Sequence, residues 1–183
     1  GDQNILLETG KNLINDVDVK IVANELRITD NNTCNIFREY GLTKIYVSVP
    51  DLKSIRTSSQ YTVKSIGTLN FDKLELISED YSAPDTFTVG DFNLDINTNQ
   101  LRIISNNISS FYLSGTTDSL YVGFFSGTGR FEGEGLIAND VQVFHRGSND
   151  MIVNPQLSLT GILRGTGDLI SVNEPPLVDI ERV

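Results

Sequence analysis

The stretches LRIISNNISSFYLSG (Leu101–Gly115) and LYVGFFSGTGRFEGEG (Leu120–Gly135) decide the fold. Each starts with an alternating apolar run, breaks at a small or polar cluster, and resumes as a second β-rich run. The same shape recurs outward from them, at Leu52, Leu74, Val141 and Leu159. The spacing varies from 18 residues (Val141 to Leu159) to 27 (Leu74 to Leu101), within the range expected of a solenoid. In such a fold each coil buries its apolar face only against its neighbours. Six starts predict about six coils, a body roughly 29 Å long at about 4.8 Å per strand.

Apolar residues alternate through Val17, Val19 and Ile21, through Ile45, Val47 and Val49, and through Phe92, Leu94 and Ile96. That two-residue period belongs to half-buried strands, and helix patterning is nearly absent. The expectation is an all-β chain: a single-stranded parallel β-helix-like solenoid of about six coils with an N-terminal β-meander or hairpin cap. Residues 1–183 read as one domain, with 1–50 as the cap, 51–172 as stacked coils and 173–183 as a C-terminal cap or strand. Segments 4–8, 13–22, 25–29 and 43–49 are the cap strands. Pro175-Pro176 stops regular pairing before a last strand at 177–181. The long 27-residue unit is expected to carry its surplus as a hairpin or bulged loop in Asp91–Gln100.

Of 183 residues, 39% are hydrophobic, enough for a substantial core, and 24 acids against 14 bases leave a net charge of −10. A field of that sign disfavours nucleic acid and anionic lipid, and no basic run offsets it. Cys34 is the only cysteine, so no internal disulfide forms and cysteine-pair zinc sites are excluded; burial is the expected state of its thiol. No apolar run is long enough to span a membrane as a helix. Gly1 has the look of a cloning remnant, which leaves room for an earlier targeting segment.

KIYVSVPDLKS (Lys44–Ser54) and LRGTGDLISVNEPPLVDIERV (Leu163–Val183) resemble the putative auto-transporter adhesin, or head GIN domain, family of Bacteroides-type bacteria. Val47-Ser48-Val49-Pro50-Asp51-Leu52 is similar to its Val-x-x-Pro-x-Leu strand end. Ser126-Gly127-Thr128-Gly129 and Gly165-Thr166-Gly167-Asp168 are similar to its glycine turns. The stretches Thr57–Gln60, Ser78–Ser82 and Ser105–Ser109 lack the corresponding glycines, so the early coils are expected to turn differently. The resemblance implies a parallel β-helix-like fold, export to the cell envelope (periplasm or outer-membrane surface, or a lipoprotein) and an adhesive role.

The residues themselves offer several candidate sites. Gly127, Gly129, Gly147, Gly165 and Gly167 read as turn formers with positive φ. As a phosphate cradle they lack the following helix and the lysine, and Glu132 and Glu134 would repel an anion. The polar array Asp91, Asn93, Asp95, Asn97 and Asn99 has the oxygen-rich opening of a calcium loop. Ile96 stands where that loop needs glycine and Arg102 where it needs an acid, so a solvent-facing strand is the better reading. His145, the one histidine, is read as an exposed turn residue beside Arg146.

The aromatics Tyr112, Tyr121, Phe124, Phe125 and Phe131 cluster in the fourth and fifth coils, with Gly123 expected to form a bulge. Core packing accounts for some of them. Tyr112, Tyr121 and Phe124, with Glu132 and Glu134, are the candidate binding surface for a glycan or cell-surface protein. Three functional readings follow. The leading one is a noncatalytic envelope adhesin without cofactor or metal. The second is a carbohydrate-active lyase or hydrolase using Asp118, Glu132, Glu134, Asp140, Asp150 and Asp168. A lyase also needs a cation near the substrate acid; Arg146 and Arg164, which could sit close together, are expected instead to pair with neighbouring acids, which counts against it. The third is a homo-oligomer assembled through uncovered coil edges.

Overall fold

The computed structural model describes residues 3–31, 43–82, 84 and 86–183. Cys34 lies outside them. The chain forms two compact units, Gly1–Pro50 and Asp51–Val183.

In the first unit β1 (Asn4–Glu8) pairs antiparallel with β4 (Lys44–Ser48), and β2 (Val17–Val22) with β3 (Glu25–Asp30). Ala23 and Asn24 make the tight turn of the second pair at φ 50° and 65°. Alternation gives that hairpin one apolar face (Val19, Ile21, Leu26, Ile28) and one charged face, where Asp18–Lys20 and Glu25–Arg27 form ion pairs. The strands fall where the alternation places them, except that β2 starts at Val17, after a short 3-10 turn at Ile14–Asp16.

The second unit is a parallel β-solenoid of about seven turns. Its strands are β5 (Ser54–Arg56), β6 (Val63–Ser78), β7 (Phe92–Ser105), β8 (Ser110–Phe124), β9 (Arg130–His145), β10 (Met151–Leu163), β11 (Leu169–Ser171) and β12 (Leu177–Arg182). They stack in chain order, with β11 and β12 both pairing parallel to β10. The seventh turn is therefore the tail. Pro175-Pro176 interrupts the last rung without ending the stack, because pairing resumes at Leu177 against Ser158.

Five of the six repeat starts read from sequence are the register itself; Leu52 falls one residue early, since Ser54 pairs with Glu75 and so sets Lys53 beside Leu74. Leu74 pairs with Leu101, Leu101 with Leu120, Leu120 with Val141, and Val141 with Leu159. In β7 and β8 the inward alternation breaks once, where two successive residues face outward, Asn99-Gln100 and Asp118-Ser119; β9 breaks first at Glu134-Gly135 and again at the equivalent Asn139-Asp140. That shared corner divides these rungs into a first flank (Phe92–Thr98, Phe111–Thr117) and a second flank (Leu101–Ser105, Leu120–Phe124). Like residues then stack rung upon rung. Phe92 lies parallel to Phe111 at 4.9 Å, and Thr98 donates its hydroxyl to Thr117 at 3.1 Å beside the corner. Burying each large apolar side chain stabilises the stack by about 1.5–3 kcal/mol.

Several expectations change. The 27-residue unit holds its surplus in residues 79–91, between β6 and β7; a smaller register shift, between Lys64 and Thr68, belongs to the unit before it. Asp91–Gln100 is instead nearly all regular strand, since its alternating apolar residues Phe92, Leu94 and Ile96 are all buried. Gly123 is in register opposite Phe144; the bulge lies in β9, where Gly133 and Glu134 together oppose Leu113. Of the five turn glycines only Gly127 has positive φ, 86°. Gly165 and Gly167 are required by close approach instead: a Cβ there would fall 2.0 Å and 2.1 Å from the carbonyl oxygens of Gly147 and Asn149 in the turn beneath.

His145 is buried, not exposed. Strand β9 carries its alternation through Val141 and Val143 to His145, so the ring occupies the ladder between Phe124 and Leu163. The Gly147 amide donates to Nδ1 at 3.3 Å, and Nε2 lies 2.8 Å from the Asn149 carbonyl oxygen. Nε2 must therefore carry the proton, and the neutral ring closes its own turn. Burial pushes its pKa down, opposed by the Asn149 hydrogen bond and the charges of Asp150 and Asp168.

Candidate functional site

Counting outward positions from the buried ladders places side chains on the solvent side of the second flank in columns. Glu75, Arg102, Tyr121 and Gln142 form one column; Ile77, Ile104, Gly123, Phe144 and Ile162 form the next. The residue after each strand continues the ladder: Phe125 and Arg146 donate their amides to Ser105 and Phe124, and Arg164 to His145.

These columns enclose an open trough of about 590 Å³ lined by Ile104, Phe125, Phe144, Arg102 and Arg146 among others. That volume is in the range of small-ligand sites. Its floor depends on a missing side chain. A Cβ on Gly123 would lie 2.8 Å from the Tyr121 ring and 2.9 Å from the Phe125 ring, so both rings lean across the bare backbone. Aromatic cover of a strand glycine shields main chain that would otherwise be open to water. Phe125 also stacks on Phe144 of the next rung, centroids 5.1 Å apart. Arg102 sits over Tyr121 at 5.4 Å and is ion-paired with Glu75.

The far end of the trough is held by Glu79, mostly buried, whose carboxylate binds the Arg56 guanidinium and the Ser82 hydroxyl, the latter at 2.6 Å. Burial alone would raise its pKa; the hydrogen bonds from Ser82 and Arg56 outweigh it and bring the group to about 2. Glu79 is a fixed anion that anchors the start of the 79–91 connection.

The residues singled out from sequence do not form one site. Tyr112 is 44% exposed on the first flank, in register with Glu132, whose carboxylate is ion-paired with Arg130. Glu134 is exposed in the bulge of the same flank. Tyr121 lies on the second flank, across the corner from them. Phe124 is fully buried and belongs to the core, because it follows Leu120 and Val122 inward in strict alternation.

The acids are dispersed as well. Asp118 accepts from Asn139 and Asp140 from Ser158 along the corner, while Asp150 and Asp168 sit in the turns after β9 and β10. Among the described residues no three His, Cys, Asp or Glu side chains converge so as to hold a metal ion. In the Asp91–Asn99 array the polar groups bond between rungs rather than around a point: Thr68 to Asp95, Asn97 to Asn70, Thr116 to Asn97. Arg146 and Arg164, expected to pair with acids, have no carboxylate within salt-bridge distance among the described residues. Every other described arginine has one.

Sequence reasoning missed Phe144, Arg146 and Arg164. The available signal was the two-residue period: counted from buried Val141 and Val143, it turns Phe144 and Arg146 outward.

A parallel β-solenoid bearing an aromatic trough on one flank is the class of protein these features define. The chain belongs to the family described as "Putative auto-transporter adhesin, head GIN domain", which matches residues 1–175. Its fold is similar to the crystal structure of a putative adhesin from Bacteroides fragilis. The TM-score is 0.86 at 21% identity, over 100% of this chain and 79% of that one. Comparison with curated proteins finds no match. No helix among the described residues is long and apolar enough to cross a membrane.

Proposed function

We propose that this chain is a noncatalytic, exported module of the cell envelope that adheres to molecules outside the cell. The observation that carries the reading is the trough of the second flank. Three aromatic rings lie partly open to solvent on a rigid sheet face, where burying them against a partner would be favourable. The family and the fold shared with a putative adhesin from Bacteroides fragilis support the adhesive role. Dispersal of the carboxylates over the corner, the turns and the first flank supports the noncatalytic part, since acid/base chemistry needs two groups within reach of one bond.

Binding of the purified chain to immobilised glycans and host-surface proteins tests adhesion, and silence across broad panels overturns it. Turnover of polygalacturonate, with or without calcium, would overturn the noncatalytic assignment.

A further inference from the structure

Arg146 and Arg164 occupy successive rungs, each directly after the paired residues His145 and Leu163. Rungs are about 4.8 Å apart, so two like charges stand side by side on a sheet, an arrangement that is destabilising when no counter-charge is present. The chain carries a net charge of −10, yet among the described residues this pair has no carboxylate while Arg27, Arg56, Arg102, Arg130 and Arg182 each have one. Arg146 lines the trough beside the stacked Phe125 and Phe144, and Arg164 extends the cationic edge by one rung. Phe125 is 39% exposed. Glu181, in register with Ile162 on the following rung, bounds the edge.

The missing counter-charge points to the ligand. A guanidinium takes a carboxylate in a two-pronged hydrogen bond, and two of them suit an anion bearing several oxygens. The adjoining aromatic surface offers an apolar, flat contact to the C–H face of a ring. The backbone supplies nothing, because at this place the main chain is paired to the rungs on both sides. An extended peptide, which gains much of its affinity by adding a strand to a free sheet edge, has no such edge here. A saccharide, recognised by stacking and side-chain polar contacts, needs none.

We propose that Arg146 and Arg164, with Phe125 and Phe144, bind a carboxylate-bearing sugar of an anionic glycan. This names the ligand class for the adhesion reading and rests on it. The sugar ring lies on Phe144 and Phe125, its carboxylate faces the two guanidinium groups, and the rest of the glycan runs out over the turns.

Calorimetric titration with oligogalacturonate tests the site. The wild-type chain binds the oligomer, weakens as salt is raised, and ignores the methyl-esterified oligomer of the same length. Arg146→Gln and Arg164→Gln each weaken binding about tenfold, the worth of one charge-assisted hydrogen bond. The charge-matched Arg27→Gln leaves it unchanged, and Phe144→Ser weakens it at constant charge. No binding of oligogalacturonate, equal binding of the esterified form, equal binding of polyglutamate, or full binding by the double arginine variant each overturns the proposal. Attachment of protein-coated beads to host-type surfaces separates the two levels. Wild-type attachment that survives in the double variant removes this site but leaves adhesion standing, whereas wild-type beads that never attach remove both.

Discussion

Replacing His145 by leucine tests the solenoid interior through a single proton. The imidazole stacks between Phe124 and Leu163, its ring edge-on to Phe124 at 6.1 Å, and closes the turn through Gly147 and Asn149. Its folded-state pKa lies below the ordinary 6.5 because burial disfavours the cation more than the Asn149 hydrogen bond and the charges of Asp150 and Asp168 favour it. Stability from this group is thus complete above pH 6.5, and it is lost as pH falls through 6.5 toward the folded value, because the unfolded chain takes up the proton first. One proton gives a slope of at most about 1.4 kcal/mol per pH unit. Between pH 7.5 and 5.5 the wild-type chain is expected to lose more stability than His145→Leu, by at most about 1.4 kcal/mol. At pH 7.5 the variant gives up two hydrogen bonds of about 1 kcal/mol each, partly offset by the leucine it buries. Urea unfolding of both proteins at several pH values reads the difference. Stability–pH curves that run parallel from 7.5 to 5.5 would show that the ring is not buried neutral in the ladder, and the reasoning fails.

Three further outcomes follow from the packing. Glu79→Gln should flatten the acid limb of stability: with a pKa of about 2, Glu79 contributes above pH 4.5 and is lost as pH falls toward 2, at most about 3 kcal/mol. An unchanged acid limb in denaturant titrations would refute the Ser82–Arg56 anchor. Gly165→Ala should cost at least about 2 kcal/mol, because its Cβ would meet the Gly147 carbonyl oxygen at 2.0 Å. Gly67→Ala has open space and pays only for φ 76°, about 1 kcal/mol; thermal melts should rank the two that way. Leu76→Ala, at a fully buried ladder position, should cost about 2–5 kcal/mol. Ile66→Ala, 84% exposed, should stay within about 0.5 kcal/mol of wild type.

The ladder was legible because strand alternation is a local property. Leu74, Leu101, Leu120, Val141 and Leu159 each begin an inward run, and their order alone predicts which residues stack. Errors came where local polarity and alternation disagreed. His145 stands before Arg146 and Gly147 and reads as a turn, yet the phase set by Val141 carries it inward, and two turn hydrogen bonds make its burial tolerable. Phe124 and Phe125 are equally hydrophobic neighbours; only the phase sends one to the core and the other to the trough.

Sequence by itself therefore determined the coil, its ladders and the places where it turns, since those rest on interactions between residues two apart or on repeated like residues. The trough needed the tertiary structure. Phe125, Phe144, Arg146 and Arg164 come from three successive rungs, and their neighbourhood depends on a register that includes the bulge at Gly133-Glu134 and the shifts between Ile152 and Asn154 and between Pro155 and Ser158. A shift of one residue in that register would turn each of them to the other side of the sheet. Whether a cation has a partner likewise depends on which side chain the neighbouring rung places beside it, and that is why only the stacked coils show Arg146 and Arg164 without a carboxylate among the described residues.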